Sequence, residues 1–174
     1  MSITQPAGFT ASGIAAGIKA SGDLDLALIV NNGPRYDAAG VFTTNRISAA
    51  PVRWSQSAIQ NGQARAVILN SGGANACTGV QGDQDAAAMA DHTAQELDIA
   101  ADDVLVCSTG LIGERLPMDK VITGITTAVE SLTDDGFVTA AKAIMTTDTV
   151  HKTAQAQGTG YTVSGLTKGA GMIA

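Results

Sequence analysis

The chain has 174 residues and a formal net charge of −6, with ten Lys and Arg residues scattered along it. An acidic chain without a basic patch argues against nucleic acid or an anionic membrane as the partner. Hydrophobic residues make up 45% of the sequence but aromatic residues only 3%, so the core must be built from aliphatic side chains. The 20 glycines predict that backbone segments approach one another closely.

The sequence carries no signal for a membrane span or a metal. It has no run of about 18 apolar residues, and its first six residues lack the basic start and apolar core of a signal peptide. We therefore expect a cytoplasmic protein. In that compartment, inert thiols are favoured for Cys77 and Cys107 over a disulfide or a ligand pair. His92 and His151 show no metal-ligand spacing, so no metal site is predicted.

Short apolar runs rich in β-branched residues predict the strands. In chain order they lie at residues 24–30, 39–43, 51–54, 65–69 and 104–107, and two further strands are predicted near residues 149–156 and 161–166. All of these runs are closed by Asn, Gly or polar residues.

Helical spacing of apolar residues is clearest from Met118 to Leu132, and Pro117 stands where a helix can begin without losing a hydrogen bond. Two more helices are predicted at residues 82–97 and 134–144, each with acidic residues near its start, which suit the positive end of the helix dipole. Strands that come first and then alternate with helices favour a layered α/β sandwich over a doubly wound sheet. No linker divides the chain, so we expect one domain over residues 1–174.

Three turns rich in glycine and hydroxyl side chains follow apolar segments, at residues 70–79, 107–113 and 144–148. Small side chains in such turns can expose backbone N–H groups to an anion or a carbonyl. In the second turn, Thr109 and Gly110 leave a strand and can aim donors at one point, as an oxyanion hole requires. Each turn also fits an ordinary structural role. Ser108 as a nucleophile has neither a Gly-x-Ser-x-Gly frame nor a histidine placed by the sequence.

The closing run, residues 167–174, is apolar and glycine-rich. Natural termini are usually polar, so this run predicts that the chain is a piece of a longer protein. Within it, the lone cation of Lys168 can meet a substrate carboxylate, although a solvated surface lysine is the alternative.

Together and in this order, these segments resemble one family, the ornithine acetyltransferases of the acetyl-recycling arginine pathway, also called glutamate N-acetyltransferases. The matching stretches are residues 17–19, 25–28, 39–46, 70–79, 107–113, 116–120, 143–148 and 168–173. The resemblance spans nearly the whole chain. One departure is Gly73, where the family often has Asn; because Asn75 is kept, we expect only a small local change.

The resemblance implies a layered α-β-β-α sandwich of the self-cleaving N-terminal-nucleophile acyltransferase type. It implies that this chain is the N-terminal, or α, chain of a precursor that cuts itself between an Ala and a Thr, a few residues beyond Ala174. The freed Thr would be the nucleophile of the β chain, which completes the fold. Two α and two β chains would assemble.

The activity implied is acetyl transfer from N-acetylornithine to glutamate through an acetyl-Thr enzyme, with no cofactor; whether acetyl-CoA is also a donor stays open. By family match, Thr109 and Gly110 supply the oxyanion hole, and Thr146 and Lys168 bind substrate. Asp148, with its neighbour at 147, is expected to give structural support.

Cys77 and Cys107 have no family role as nucleophiles, and we expect small buried hydrophobic side chains at both positions. Two other functions remain open. One is a self-cleaving aminopeptidase, although those enzymes use a Ser nucleophile and lack the Thr-Gly-Leu-Ile-Gly and Thr-Thr-Asp segments. The other is a catalytically silent module that only holds an amino acid.

Overall fold

The structure is a computed structural model, and it describes residues 6–170. The described elements are, in chain order, β1 (Phe9–Ile14), β2 (Leu26–Asn31), α1 (Ala50–Ala58), β3 (Ala66–Gly73), α2 (Gly79–Leu97), β4 (Val104–Leu111), α3 (Met118–Glu130), α4 (Phe137–Ala143), β5 (Lys152–Gly158) and β6 (Tyr161–Thr167). The last four residues of the predicted closing run, 171–174, lie outside the described residues.

Strands β1 to β4 form one sheet in the order β1-β2-β3-β4. The pairs β1/β2 and β2/β3 are antiparallel, whereas β3 and β4 are parallel and are joined by a crossover through α2. Strands β5 and β6 form a separate antiparallel pair. In the part of the chain that the structure describes, no helix is long and apolar enough to cross a membrane.

The two faces of the four-stranded sheet are covered differently. Alternation along β2 turns Leu26 and Leu28 to the face where α2 and α3 pack, and it turns Ala27 to the face where α4 packs. Ile125 of α3 is fully buried on the first face. The described residues therefore form the α/β layers that the sequence predicts.

The predicted close approach of backbones is found where α4 crosses β1. A Cβ placed on Gly13 would lie 2.2 Å from the carbonyl oxygen of Thr139, closer than any real Cβ contact. Only glycine fits there, because the helix backbone occupies the space that a side chain would need.

Several predicted elements are confirmed, with α2 and α3 the closest matches and α4 shorter than expected. Two predicted strands are wrong. Residues 51–54 lie in α1, where Pro51 occupies the first helical turn and so loses no hydrogen bond. Residues 39–43 form neither strand nor helix, and Val41 is fully exposed, so burial of apolar side chains does not stabilise a strand in this run. Strand β1, rich in small residues, is not predicted.

The expectation of buried cysteines is also wrong for the described residues, since Cys77 and Cys107 are both exposed. Cys107 points away from the face that α2 and α3 cover, and α4 packs on β1 and β2 instead of on β4. Leu111, on the same side of β4, is 61% exposed. The outer face of β4 is therefore an apolar surface open to a further layer.

Candidate active site

Thr109 and Gly110 lie near the end of β4, just before its last residue Leu111, and thus within the strand instead of in a turn after it. They pair with Ser71 and Gly72 of the parallel strand β3. Gly110 has a φ of 142°, and a Cβ there would lie 2.4 Å from the carbonyl carbon of Gly72. The pairing of the two strand ends therefore requires glycine at position 110, both for its backbone angle and for the space.

Among residues 6–170, side chains of α1 hydrogen-bond to the free edge of β4 in its first half. The indole N–H of Trp54 donates to the carbonyl of Val104 at 2.9 Å. The hydroxyl of Ser55 donates to the carbonyl of Val106 at 2.8 Å and accepts from its N–H at 2.9 Å. In a regular parallel strand, alternate residues face the same edge, which would turn the N–H of Gly110 to the edge that Val104 and Val106 use; the pairing with β3 is irregular here, with register shifts around Gly73. Such a donor suits an oxyanion hole.

Ser108 does not have the surroundings of a nucleophile. Its hydroxyl oxygen is buried and has no hydrogen-bond partner among the described residues. A serine nucleophile needs an adjacent base in hydrogen-bond reach, so the structure gives no support for this option.

Thr146 and Lys168 are in direct contact. Thr146 follows α4 and Lys168 follows β6, and the Lys168 ammonium donates a hydrogen bond of 2.8 Å to the Thr146 hydroxyl. The structure thus brings together the two residues that the resemblance assigned to substrate binding. An ammonium beside a hydroxyl is a donor pair that can hold a carboxylate.

Asp148 holds these two segments together, and its side chain is fully buried. Its carboxylate accepts from the N–H of Gly169 at 2.7 Å and from the N–H of Thr146 at 3.2 Å, and it pairs with the ammonium of Lys152. The hydrogen bond from Lys152, with those from the two N–H groups, holds the pKa of Asp148 well below its usual range. The structural support predicted at this position is therefore a link between two distant segments.

Lys19 is a member of the site that sequence reasoning missed. Its ammonium donates to the carbonyl of Met145 and to that of Leu24, each at 2.8 Å. Burial lowers the pKa of Lys168, the charge of Asp148 raises it, and the charge of Lys19 lowers it again. In the sequence, Lys19 is marked only by its place in residues 17–19, one of the stretches that resemble the family, and the resemblance assigns that stretch no role.

A cavity of about 480 Å³ opens beside these residues. It is lined by Lys19, Thr146 and Asp148, together with Lys142 and His151. Thr109, Gly110 and Lys168 do not line it. The volume suits a small ligand such as an amino acid.

Thr109 and Gly110 lie at the same end of the sheet as Thr146 and Lys168, without touching them. The Ser71 hydroxyl, beside Thr109 in the ladder, donates to the carbonyl of Ala143 at the end of α4, at 2.5 Å. On the next residue, Gly72, a Cβ would lie 3.4 Å from the Cγ of Lys19. Two short contact paths therefore run from the end of β4 to the segment that carries Thr146.

Among residues 6–170, no group of three or more His, Cys, Asp or Glu side chains lies close enough together to hold a metal ion. The polar groups of the site are instead ammonium, hydroxyl and backbone N–H donors, a set suited to anionic ligands and developing negative charge.

Comparison with protein families matches residues 10–174 to the ArgJ family. The chain belongs to this family. Curated ArgJ-family relatives include the arginine biosynthesis bifunctional proteins ArgJ of Thermobifida fusca (strain YX), 58% identical over 174 residues, and of Streptomyces avermitilis, 59% identical over 174 residues. Both comparisons cover 100% of this chain and 45% of the relative, so the chain spans less than half the length of these relatives.

Two solved ArgJ-family structures share the fold. One is ornithine acetyltransferase complexed with ornithine from Mycobacterium tuberculosis, with a TM-score of 0.94 and 53% identity, covering 99% of this chain and 94% of that chain. The other is the ArgJ protein of Bacillus halodurans, with a TM-score of 0.89 and 41% identity, covering 100% and 93%. The family resemblance and the layered α/β class that the sequence predicts are thereby confirmed.

Proposed function

We propose that this ArgJ-family chain is the α chain of a self-cleaved cytoplasmic acetyltransferase that moves an acetyl group from N-acetylornithine to glutamate in arginine biosynthesis. Residues 1–174 would form one domain of it. The observation that carries the proposal is the contact of Lys168 with Thr146, at the end of the sheet where Thr109 and Gly110 lie. Groups that would bind a carboxylate then lie at the same end of the sheet as donors that would stabilise a tetrahedral oxyanion, as acyl transfer to and from amino acids requires.

A difference in length supports a second chain. The curated relatives are more than twice as long as this chain, yet 94% of the solved M. tuberculosis chain is covered by it. A precursor cut into two chains accounts for both numbers. The β chain would begin with the nucleophilic Thr and pack on the open outer face of β4, where Cys107 and Leu111 are exposed. Two α and two β chains would form the enzyme.

The chemistry would take two steps. The Thr hydroxyl of the β chain, with its own free amine as base, attacks the acetyl carbonyl, and the α-amine of ornithine leaves with the proton. The α-amine of glutamate then attacks the acetyl-Thr ester and regenerates the hydroxyl. Thr109 and Gly110 would stabilise the oxyanion in both steps, while Lys168 and Thr146 would hold the α-carboxylate that both amino acids carry.

The test is expression of the full coding sequence, followed by intact mass, N-terminal sequencing and an assay of acetyl transfer. We expect two chains, the second starting with Thr, and transfer from N-acetylornithine to glutamate. The variant Thr109→Val should lower kcat by about 10²- to 10³-fold, as the loss of an oxyanion donor does. A single uncut chain, or peptide cleavage without acetyl transfer, would refute the proposal; the latter result would favour an aminopeptidase.

The same preparation tests acetyl-CoA as a second donor. The curated relatives are named bifunctional, which supports a second activity, and formation of N-acetylglutamate from acetyl-CoA is the one we propose. Absence of that product at saturating glutamate would restrict the enzyme to acetyl recycling.

A further inference from the structure

Lys19 joins two parts of the chain that are far apart in sequence. Its ammonium spans the carbonyl of Leu24, five residues away, and the carbonyl of Met145, 126 residues away, at 2.8 Å each. Met145 directly precedes Thr146, and it lies just beyond the end of α4. The cation therefore acts on the backbone of the segment that presents the Thr146 hydroxyl to Lys168.

The base of the Lys19 side chain is itself fixed. Asp25 is fully buried, and its carboxylate accepts hydrogen bonds from the N–H groups of Ala16 at 2.7 Å, Ile18 at 2.6 Å and Lys19 at 2.9 Å. A carboxylate with three backbone donors orders the loop between β1 and β2. The backbone that carries the Lys19 side chain is therefore fixed in position by Asp25.

Two features set Lys19 apart from a surface lysine. Burial lowers its pKa, while the charges of Asp25 and Asp23 raise it, so the ammonium lies in a partly desolvated position. The side chain also lines the cavity next to Thr146. Hydrogen bonds from a charged donor are stronger in such surroundings than in water.

We propose that Lys19 is a positioning residue of the acetyl-transfer site, whose ammonium fixes the Met145 carbonyl and thereby sets the Thr146 hydroxyl against Lys168. This inference rests on the proposed function for its effect on catalysis. Without the ammonium, the Met145 carbonyl loses its partner and the turn after α4 is free to shift. A shift of about 1 Å at a substrate-positioning group can cost on the order of 10²-fold in rate.

The test uses the two-chain enzyme made from the full coding sequence, with the variants Lys19→Met, Lys19→Arg and the control Arg35→Met. Arg35 is an exposed cation whose side chain pairs with the exposed Asp37, and it does not line the cavity beside Thr146. Two quantities are measured: hydrogen exchange of a peptide covering residues 142–150, and kcat and KM for N-acetylornithine and glutamate taken separately.

In Lys19→Met we expect exchange in residues 144–148 to speed up by about tenfold, because the local opening of that turn costs less free energy. The KM for both substrates should rise by about 10- to 100-fold, with a smaller change in kcat, as misplacement of a substrate-holding group predicts. Lys19→Arg keeps the charge and the donors and should restore both quantities to near the wild type. Arg35→Met should change neither, since exposed charges contribute little.

Wild-type exchange in Lys19→Met would overturn the proposal. So would a raised KM with unchanged exchange, because that result would make Lys19 a direct substrate contact. If Lys19→Met does not fold, Lys19→Arg decides alone, and loss of protection or a large rise in KM in that variant refutes the positioning role. If the wild type transfers no acetyl group, the proposed function fails. The comparison of hydrogen exchange between the wild type and Lys19→Met still tests whether Lys19 orders the turn that carries Thr146.

Discussion

The ammonium of Lys168 donates a hydrogen bond of 2.8 Å to the hydroxyl of Thr146, although the two residues lie 22 positions apart in the sequence. Asp148 stabilises this contact, because its carboxylate accepts hydrogen bonds from the N–H of Thr146 and from the N–H of Gly169, the residue after Lys168. Under the proposed function, both donors are therefore in place before a substrate arrives. Preorganisation of this kind lowers the cost of binding.

The first prediction concerns this pair. Replacement Thr146→Val keeps the shape but removes the hydroxyl, and Lys168→Met removes the cation; each should raise the KM by about 10- to 100-fold, the usual effect of losing a hydrogen bond to a charged group. The double variant should lose less than the product of the two, because the residues touch. Steady-state kinetics on the two-chain enzyme measure this.

The matched control is Thr147→Val, on the exposed neighbour of Thr146. It should leave the KM unchanged. Equal effects at positions 146 and 147 would mean that the whole turn, and not the hydroxyl, matters.

The second prediction concerns the strand end at Gly110. Because its φ is 142° and a Cβ would lie 2.5 Å from the nitrogen of Gly73, Gly110→Ala should force β3 and β4 apart. We expect a loss of at least about 3 kcal/mol in the free energy of unfolding, together with the loss of activity. Urea unfolding followed by circular dichroism gives the first quantity.

Gly113→Ala is the control for backbone strain alone. Gly113 has a φ of 87° but no atom within 4 Å of an added Cβ. That variant should cost only about 1 to 2 kcal/mol. A comparable loss in both variants would show that the contact with β3 contributes nothing.

The sequence predicts the elements that have a clear local pattern, and it fails where packing between distant segments decides the structure. Helices α2 and α3 are predictable because buried apolar residues such as Ile125 recur at helical spacing along one face. Residues 51–54 are not, since a segment as short as Pro-Val-Arg-Trp suits a strand or a helix equally. The hydrogen bonds of Trp54 and Ser55 to β4 hold this segment as part of α1. Strand β1 is missed because Gly13 and its small neighbours carry little strand signal; the close approach of α4 requires them.

For the candidate site, the sequence likewise identifies residues but not the contacts between them. The motifs mark Thr146 and Lys168 as candidates, but the contact between them depends on the chain path through β5 and β6. The link through Asp148 and the reach of Lys19 to Met145 join residues 21 and 126 positions apart. No local pattern encodes such pairs, because they exist only once the sheet and α4 have been packed.

The third prediction concerns pH. The pKa of Asp148 is held below its unfolded value by Lys152 and by the N–H groups of Gly169 and Thr146. A carboxylate with a depressed pKa in the folded state stabilises the protein above its unfolded pKa of about 4, and that contribution is lost as the pH falls further toward the folded pKa. Between about pH 5 and pH 2, the wild type should therefore lose stability more steeply than Asp148→Asn.

Thermal midpoints measured across that range test the slope. Asp91→Asn, which removes an exposed carboxylate on α2, is the control and should follow the wild type. Parallel pH profiles for the wild type and Asp148→Asn would contradict the prediction.

The fourth prediction concerns the edge of β4. The buried hydroxyl of Ser55 takes the place of a neighbouring strand, because it bonds both the N–H and the carbonyl of Val106. Ser55→Ala leaves both backbone groups unpaired under α1 and should cost about 1 to 3 kcal/mol in the free energy of unfolding. Ser57→Ala, on the exposed side of the same helix, should cost far less. The side chains of α1 bond β4 at Val104 and Val106, before Gly110. We therefore expect Ser55→Ala to lower the urea midpoint, while kcat and KM at low urea stay near those of the wild type. A large fall in kcat would instead show that α1 positions the end of β4 that carries Thr109 and Gly110.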